Sequence, residues 1–228
     1  METYVVKLGG SLLFNSDGSL RRDYLEKFLE VLYDTQTEGY RLIVVVGGGA
    51  TARRYITLVR ETVANESALD QLGILSSRLN AALLYTMYYK TFPIVPVSVE
   101  ELVRFYSSTL PVIFMGGLQP GQSTTTVAAL VAEATRSQLI ITTDVEGVFT
   151  ADPKKDPNAR LLETISVDQL MEMFSKPQRA GEYRLIDLLA LQVIKRSRIK
   201  TRIIKGDPPG NIRKAIKGEK LGTLIQVP

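Results

Sequence analysis

Apolar and polar positions along this chain fall into two alternating kinds of segment. The first kind is short and apolar, mostly β-branched: Tyr4–Leu8, Leu42–Val46, Pro111–Met115, Gln138–Thr143, Ile199–Ile204 and Thr223–Val227. Runs with so few polar interruptions predict strands buried on both faces. The second kind repeats its apolar positions every three or four residues. Leu25, Phe28, Leu29 and Leu32 mark a helix over Leu20–Thr37 that Gly39 ends, and Leu185, Leu188, Leu189 and Val193 mark another over Tyr183–Arg196. Further helices are predicted from Ala50 to about Val63, from Leu69 to about Tyr89, and over Val99–Tyr106, Thr126–Ala134 and Asn211–Lys217. Ser123 or Thr124 is the natural N-cap of the fourth of these, and Ser166 caps one more that runs to Phe174. Pro93–Val97 reads as a strand with proline at its margins, Asn15–Ser19 as a polar turn and Ser175–Glu182 as a mobile loop.

Strands alternating with helices predict an α/β fold whose mostly parallel sheet is covered on both faces. In such sheets ligands collect at the carboxyl ends of the strands. Four of the predicted strands run directly into loops suited to a ligand. They are Gly9-Gly10-Ser11, Gly47-Gly48-Gly49, Gly116 to Thr124, and Asp144 to Pro153. Glycine lets backbone approach a ligand closely, and the N–H groups of a helix start point at an anion. Arg53 lies in the first turn of the helix after the second loop, and Lys7 stands at the exit of the first strand. Phe149 offers a flat apolar surface near two carboxylates, which suits a nucleobase and its ribose.

Composition narrows the chemistry. The 228 residues include no Cys and no His, which removes disulfides, thiolate or imidazole metal sites, and imidazole bases. No apolar run reaches the ~20 residues of a membrane span, and the N-terminus enters a strand without a signal-peptide layout, so a cytoplasmic protein is expected. Net charge is +4, with a local excess of eight positive charges between Lys195 and Lys220. No aromatic residue interrupts that basic stretch, which argues against single-strand nucleic-acid stacking; nucleic acid is not expected as the main partner.

Donor-rich turns, two cationic side chains and two carboxylates suit phosphoryl transfer, which needs positioning and charge stabilisation more than covalent help. An acceptor that is already an anion requires no base, consistent with a chain without histidine. The Walker G-x-x-x-x-G-K-[ST] pattern and the protein-kinase G-x-G-x-x-G loop are both absent.

The motifs K-L-G-G-S (Lys7–Ser11), V-V-G-G-G (Val45–Gly49), G-G-L-Q-P-G-Q-S-T (Gly116–Thr124) and T-D-V-E-G-V-F-T-A-D-P (Thr143–Pro153), in this order, resemble the amino-acid kinase superfamily. Within it, G-G-G-A-T-A-R-R-Y, L-D-Q-L-G-I, S-R-L-N-A, the Pro-Gly-Gln-Ser-Thr loop and the Ile186-Asp187-Leu188 stretch resemble the archaeal-type uridylate (UMP) kinases. The resemblance spans essentially the whole chain. It implies a three-layer αβα sandwich in one domain, with residues 1–130 mainly binding the acceptor and 131–228 mainly binding ATP. It implies transfer of phosphate from ATP to UMP in pyrimidine biosynthesis, with magnesium (Mg2+) but no side chain assigned to the metal, and a homo-oligomer, often a hexamer. Lys7 would lie near the transferred group, with Arg53 as the second catalytic cation. Gly10, Ser11, Gly49 and Arg53 would line the ATP phosphates, and Thr143, Asp144, Phe149 and Asp152 would hold its nucleoside. Gly48 and Asp70 would contact UMP, while Leu118, Gln119, Pro120, Gly121, Gln122, Ser123 and Thr124 would wrap it. The chain departs from the pattern at Asp144 and Phe149, where archaeal relatives usually carry Asn and Tyr. The alternatives are a kinase of the same fold with another acceptor (acetylglutamate, aspartate or isopentenyl phosphate) or a non-catalytic nucleotide- or oxyanion-binding protein. Isopentenyl phosphate kinases use an active-site histidine that this chain lacks.

Overall fold

The structure is a computed structural model that describes residues 1–62, 65–175 and 185–228. Its elements are β1 (Thr3–Leu8), a 3-10 turn (Gly10–Leu13), α1 (Arg22–Thr37), β2 (Arg41–Val46), α2 (Gly49–Arg60), α3 (Glu66–Tyr89), α4 (Val99–Tyr106) and β3 (Val112–Met115). There follow α5 (Thr124–Thr135), β4 (Gln138–Thr143), β5 (Thr164–Ser166), α6 (Val167–Ser175), α7 (Leu188–Arg196), β6 (Thr201–Lys205), α8 (Gly210–Ile216) and β7 (Thr223–Gln226). Among the described residues the strands form one seven-stranded sheet in the order β3-β2-β1-β4-β6-β7-β5. The first five are parallel; β7 turns back antiparallel on β6, and β5 runs parallel to β7. The expected α/β architecture with a mostly parallel sheet is therefore the one formed.

Alternation along the strands splits the core in two. Val5, Ile43, Val45, Ile113, Met115, Leu139, Ile141 and Ile203 pack with α5, α6 and α7, whereas Tyr4, Val6, Leu8, Leu42, Val44, Val46, Phe114 and Ile204 pack with α1, α3 and α8. Strands buried on both faces explain why the polar interruptions are so few. Among the described residues no helix is long and apolar enough to cross a membrane.

Several boundaries differ from expectation. Residues 93–97 form no strand; Pro93 and Pro96 have no N–H to give a ladder, and the segment is tied instead by Arg78 Nη2 donating to the Val97 carbonyl at 3.3 Å. Helix α3 starts three residues before Leu69, because the Asn65 side chain accepts from the Ser67 and Ala68 amides. What reads as a break is a cap. Helix α7 begins only at Leu188, with Asp187 as its N-cap; Tyr183 and Arg184 lie outside the described residues. Helix α2 closes at Arg60, and the expected end near Val63 lies outside them too. Of the segment expected as a mobile loop, Ser175 closes α6 and the rest lies outside the described residues. Strand β5 was not expected: three residues are too few for a pattern of period two.

Candidate active site

Because β3, β2, β1 and β4 are adjacent and parallel, all four loops that follow them open on one edge of the sheet. The first two loops interlock through their backbones. A Cβ at Gly47 would lie 2.8 Å from the Gly10 nitrogen, and Gly49 holds φ +63° as it starts α2. The third loop is pressed equally hard onto α3, where a Cβ at Gly116 would lie 2.5 Å from the Arg78 amide nitrogen.

Helix α3 braces two of these turns through side chains on its inner face. Asn80, buried, donates from Nδ2 to the carbonyls of Gly47 (2.8 Å) and Gly48 (3.2 Å). Ser77 Oγ accepts from the Gly117 amide at 2.7 Å, and Arg78 donates to the carbonyls of Gly117 and Leu118 at 2.9 and 3.0 Å. Asp70, on the first turns of the same helix, accepts from the Gly121 amide at 2.8 Å. Between these turns lies a cleft of about 270 Å³ lined by Gly48, Gly49, Arg53, Asp70, Gln122 and Thr124, among others. Gln122 Oε1 is buried and has no hydrogen-bond partner among the described residues.

Lys7 is the next-to-last residue of β1 and faces the α5–α7 side, as Val5 does. It pairs in register with Val45 and Ile141, so it stands in the middle of the sheet and not at an edge. Its ammonium makes no hydrogen bond or ion pair among the described residues. Burial pushes its pKa down, and the carboxylates of Asp187 and Asp144 partly oppose that. Asp187 is the buttress of this corner. It accepts from the Ser123 hydroxyl, from Thr126 Oγ1 at 2.6 Å and from the Ala190 amide at 3.0 Å. It thereby ties the starts of α5 and α7 together beside Lys7. Arg53 is exposed on α2, with its guanidinium unpaired among the described residues and turned to the cleft.

The fourth loop doubles back on itself. Residues 148–150 pair with 160–162: the Leu162 amide donates to the Val148 carbonyl at 2.8 Å, the Thr150 amide donates to the Arg160 carbonyl at 2.9 Å, and Phe149 stands opposite Leu161. At the loop's root, Thr143 Oγ1 donates to Asp144 Oδ1 at 3.2 Å, and Lys154 Nζ meets Asp144 Oδ2 at 2.6 Å. That ammonium holds the Asp144 carboxyl below the usual carboxylate range. Asp152 accepts from the Lys154 amide at 3.0 Å and closes the tip.

The residues singled out in the sequence thus converge. Lys7, Gly10, Ser11, Gly48, Gly49, Arg53, the 118–124 loop and the 143–152 loop all follow parallel strands at one edge. Gly49 and Arg53, expected at the donor phosphates, line the same cleft as the expected acceptor residues Gly48, Asp70, Gln122 and Thr124. Sequence reasoning named Asp187 only within the Ile186-Asp187-Leu188 stretch and gave it no role, and it passed over Ser77, Arg78 and Asn80 as supports of the turns. The S-R-L-N string was the available signal, since polar residues at the positions of an apolar inner helix face need buried partners. Larger depressions lie elsewhere: one of about 340 Å³ at the β5–β7 edge, where Leu161 of the fourth loop forms part of its wall, and one of about 550 Å³ at the starts of β4 and β6.

Comparison with known proteins agrees with this geometry. The amino acid kinase family model matches residues 2–205. The chain is 54% identical over 225 residues to the uridylate kinase of Thermofilum pendens, covering 97% of each. Among solved structures it is similar to the uridylate kinase from Archaeoglobus fulgidus, with a TM-score of 0.84 and 39% identity over 99% of this chain and 100% of that one. The UMP kinase from Bacillus anthracis shares the fold, with a TM-score of 0.83 at 21% identity over 99% of this chain and 96% of that one.

Proposed function

The chain belongs to the amino acid kinase family, and we propose that within it the protein is a UMP kinase, moving the γ-phosphoryl group of ATP onto the phosphate of UMP to give UDP and ADP. The observation that carries this reading is the meeting of four strand-end loops at one sheet edge, two of them braced by α3 around a cleft lined by Gly48, Asp70, Gln122 and Thr124. Residues 1–130 form mainly the acceptor side and 131–228 mainly the ATP side.

In this reading Gly10, Ser11 and Gly49 present backbone N–H groups to the donor phosphates, and Arg53 reaches the phosphates across the cleft from α2. Lys7, half-buried and unpaired among the described residues, stabilises charge on the phosphoryl group as it transfers, in a site where fixed charges count for more than in water. Thr143, Asp144, Phe149 and Asp152 hold the ATP nucleoside. Gly48, Asp70 and the 118–124 loop hold UMP. The acceptor phosphate is anionic at neutral pH, so no base is needed.

Magnesium fits this site as a companion of ATP rather than as a protein-caged ion. Among the described residues no group of three or more carboxylates could hold it, and magnesium is commonly held by one or two carboxylates plus substrate phosphates. Bound with ATP it would neutralise charge on the β- and γ-phosphoryl oxygens.

The protein is cytoplasmic and homo-oligomeric in this reading, with a hexamer as the expected assembly. The support is a set of exposed apolar side chains: Leu75 and Leu79 on α3, with Phe92, Ile94 and Val97. Light scattering on the purified protein tests that assembly. The activity is tested by coupled ADP release with each of the four ribonucleoside monophosphates. UMP is expected to outrun CMP. Absence of turnover with all four ends the reading.

A further inference from the structure

Asp144 places a negative charge at the root of the loop that holds the phosphate donor. We propose that Lys154 is a positioning residue for ATP, cancelling that charge so that the nucleoside end of this polyanion can settle on the loop. The inference rests on the ATP-binding reading of the 143–152 loop. Lys154 Nζ lies 2.6 Å from Asp144 Oδ2, and its backbone amide donates to Asp152 Oδ1 at 3.0 Å, so the stem of the lysine is anchored on the same loop. The two side chains keep 67% and 51% of their exposure. An ion pair that open adds little to folding; its effect falls on whatever binds next to it.

Asp144 is also the shared counter-charge of this edge, since its field reaches Lys7 and Lys205 besides Lys154. Among the described residues Lys154 alone forms an ion pair with Asp144, and the Lys205 ammonium is engaged with Glu146 at 2.8 Å. Without Lys154 the carboxylate is left uncompensated against an incoming polyanion. Lys155, the neighbouring lysine, makes no ion pair among the described residues and serves as the control.

The test is a two-residue cycle on the full chain, reading equilibrium binding of ATP and of UMP separately, with steady-state kinetics alongside. Lys154→Ala is expected to weaken ATP binding and raise its KM about tenfold at low salt, less at high salt. UMP binding and the thermal midpoint stay unchanged. Adding Asp144→Asn, which keeps a side-chain oxygen for the nucleoside and removes only the charge, to Lys154→Ala is expected to restore ATP binding to within about threefold of the original protein, and Lys155→Ala to change nothing. If Lys154→Ala behaves like the original protein, or if the double variant is as impaired as the single one, the proposal is overturned. An original protein that fails to bind ATP at all overturns the kinase reading itself, and a protein that binds ATP without this coupling overturns the role of Lys154 alone.

Discussion

The two sides of the active edge are held by different physical means. On the acceptor side, buried Asn80 and Ser77 and half-buried Arg78 of α3 grip backbone directly: Asn80 holds Gly47 and Gly48, Ser77 holds Gly117, and Arg78 holds Gly117 and Leu118. Asn80 and Ser77 are 4% and 1% exposed. On the donor side, the loop after β4 is fastened by exposed ion pairs, Lys154 to Asp144 and Lys205 to Glu146, and by its own short antiparallel pairing. Buried hydrogen bonds are costly to leave half-made, whereas exposed ion pairs form and dissolve with little change in free energy. The acceptor side is therefore pre-shaped by buried contacts, and the donor side is held by exposed ones that add little to folding. Lys7 and Asp187 sit at the seam between them.

The seam carries the largest expected effect. Lys7→Met should lower kcat by about 10²–10³-fold with the fold intact by circular dichroism; a kcat within a few-fold of the original would show that the chemistry is not centred on this lysine. Next comes Asp187→Asn, expected to lower kcat about tenfold, the size of one interaction of roughly 1.4 kcal/mol. Its pH profile gives the sign. Burial lowers the Lys7 pKa and the Asp187 charge raises it, so removing that charge lets the ammonium lose its proton at lower pH. The alkaline limb of kcat should move to lower pH, and an unmoved limb separates Asp187 from Lys7.

Within the acceptor side, Asn80→Leu leaves the Gly47 and Gly48 carbonyls without this donor and should cost about 1–3 kcal/mol of stability, or roughly 3–10 °C in Tm for a chain of this size. KM should rise for both nucleotides, because Gly48 and Gly49 move together. The smallest effect is expected on the donor side, where Glu146→Gln removes an exposed pair and should leave Tm and the KM for UMP unchanged. A large loss of stability from Glu146→Gln, or none from Asn80→Leu, would break the contrast between the two sides.

Much of the fold was legible because each strand that is buried on both faces must be apolar throughout, and each glycine turn announces itself. Lys7 and the Gly116–Thr124 loop could be singled out for that reason, since they interrupt or follow such runs. The segment at Pro93–Val97 misled, because apolar content alone does not supply the N–H groups that a ladder consumes. Strand β5 was invisible at three residues. Asp187 could be seen in the sequence but not weighed. Its partners Ser123 and Thr126 lie more than sixty residues away, and no local pattern records that separation.

The sequence by itself determined the alternation of strands and helices, the glycine turns that end four strands, and a chemistry that does without histidine or cysteine. Local sterics and the need to bury apolar side chains act within a few residues and are written there directly. The tertiary structure alone decided the order of strands that brings those turns to one edge, the hydrogen bonds by which α3 fixes two of them, and the convergence of Asp187, Asp144 and Lys7. Hydrogen bonds and charges act between residues distant along the chain, and their strength depends on a burial that exists only once the sheet has formed.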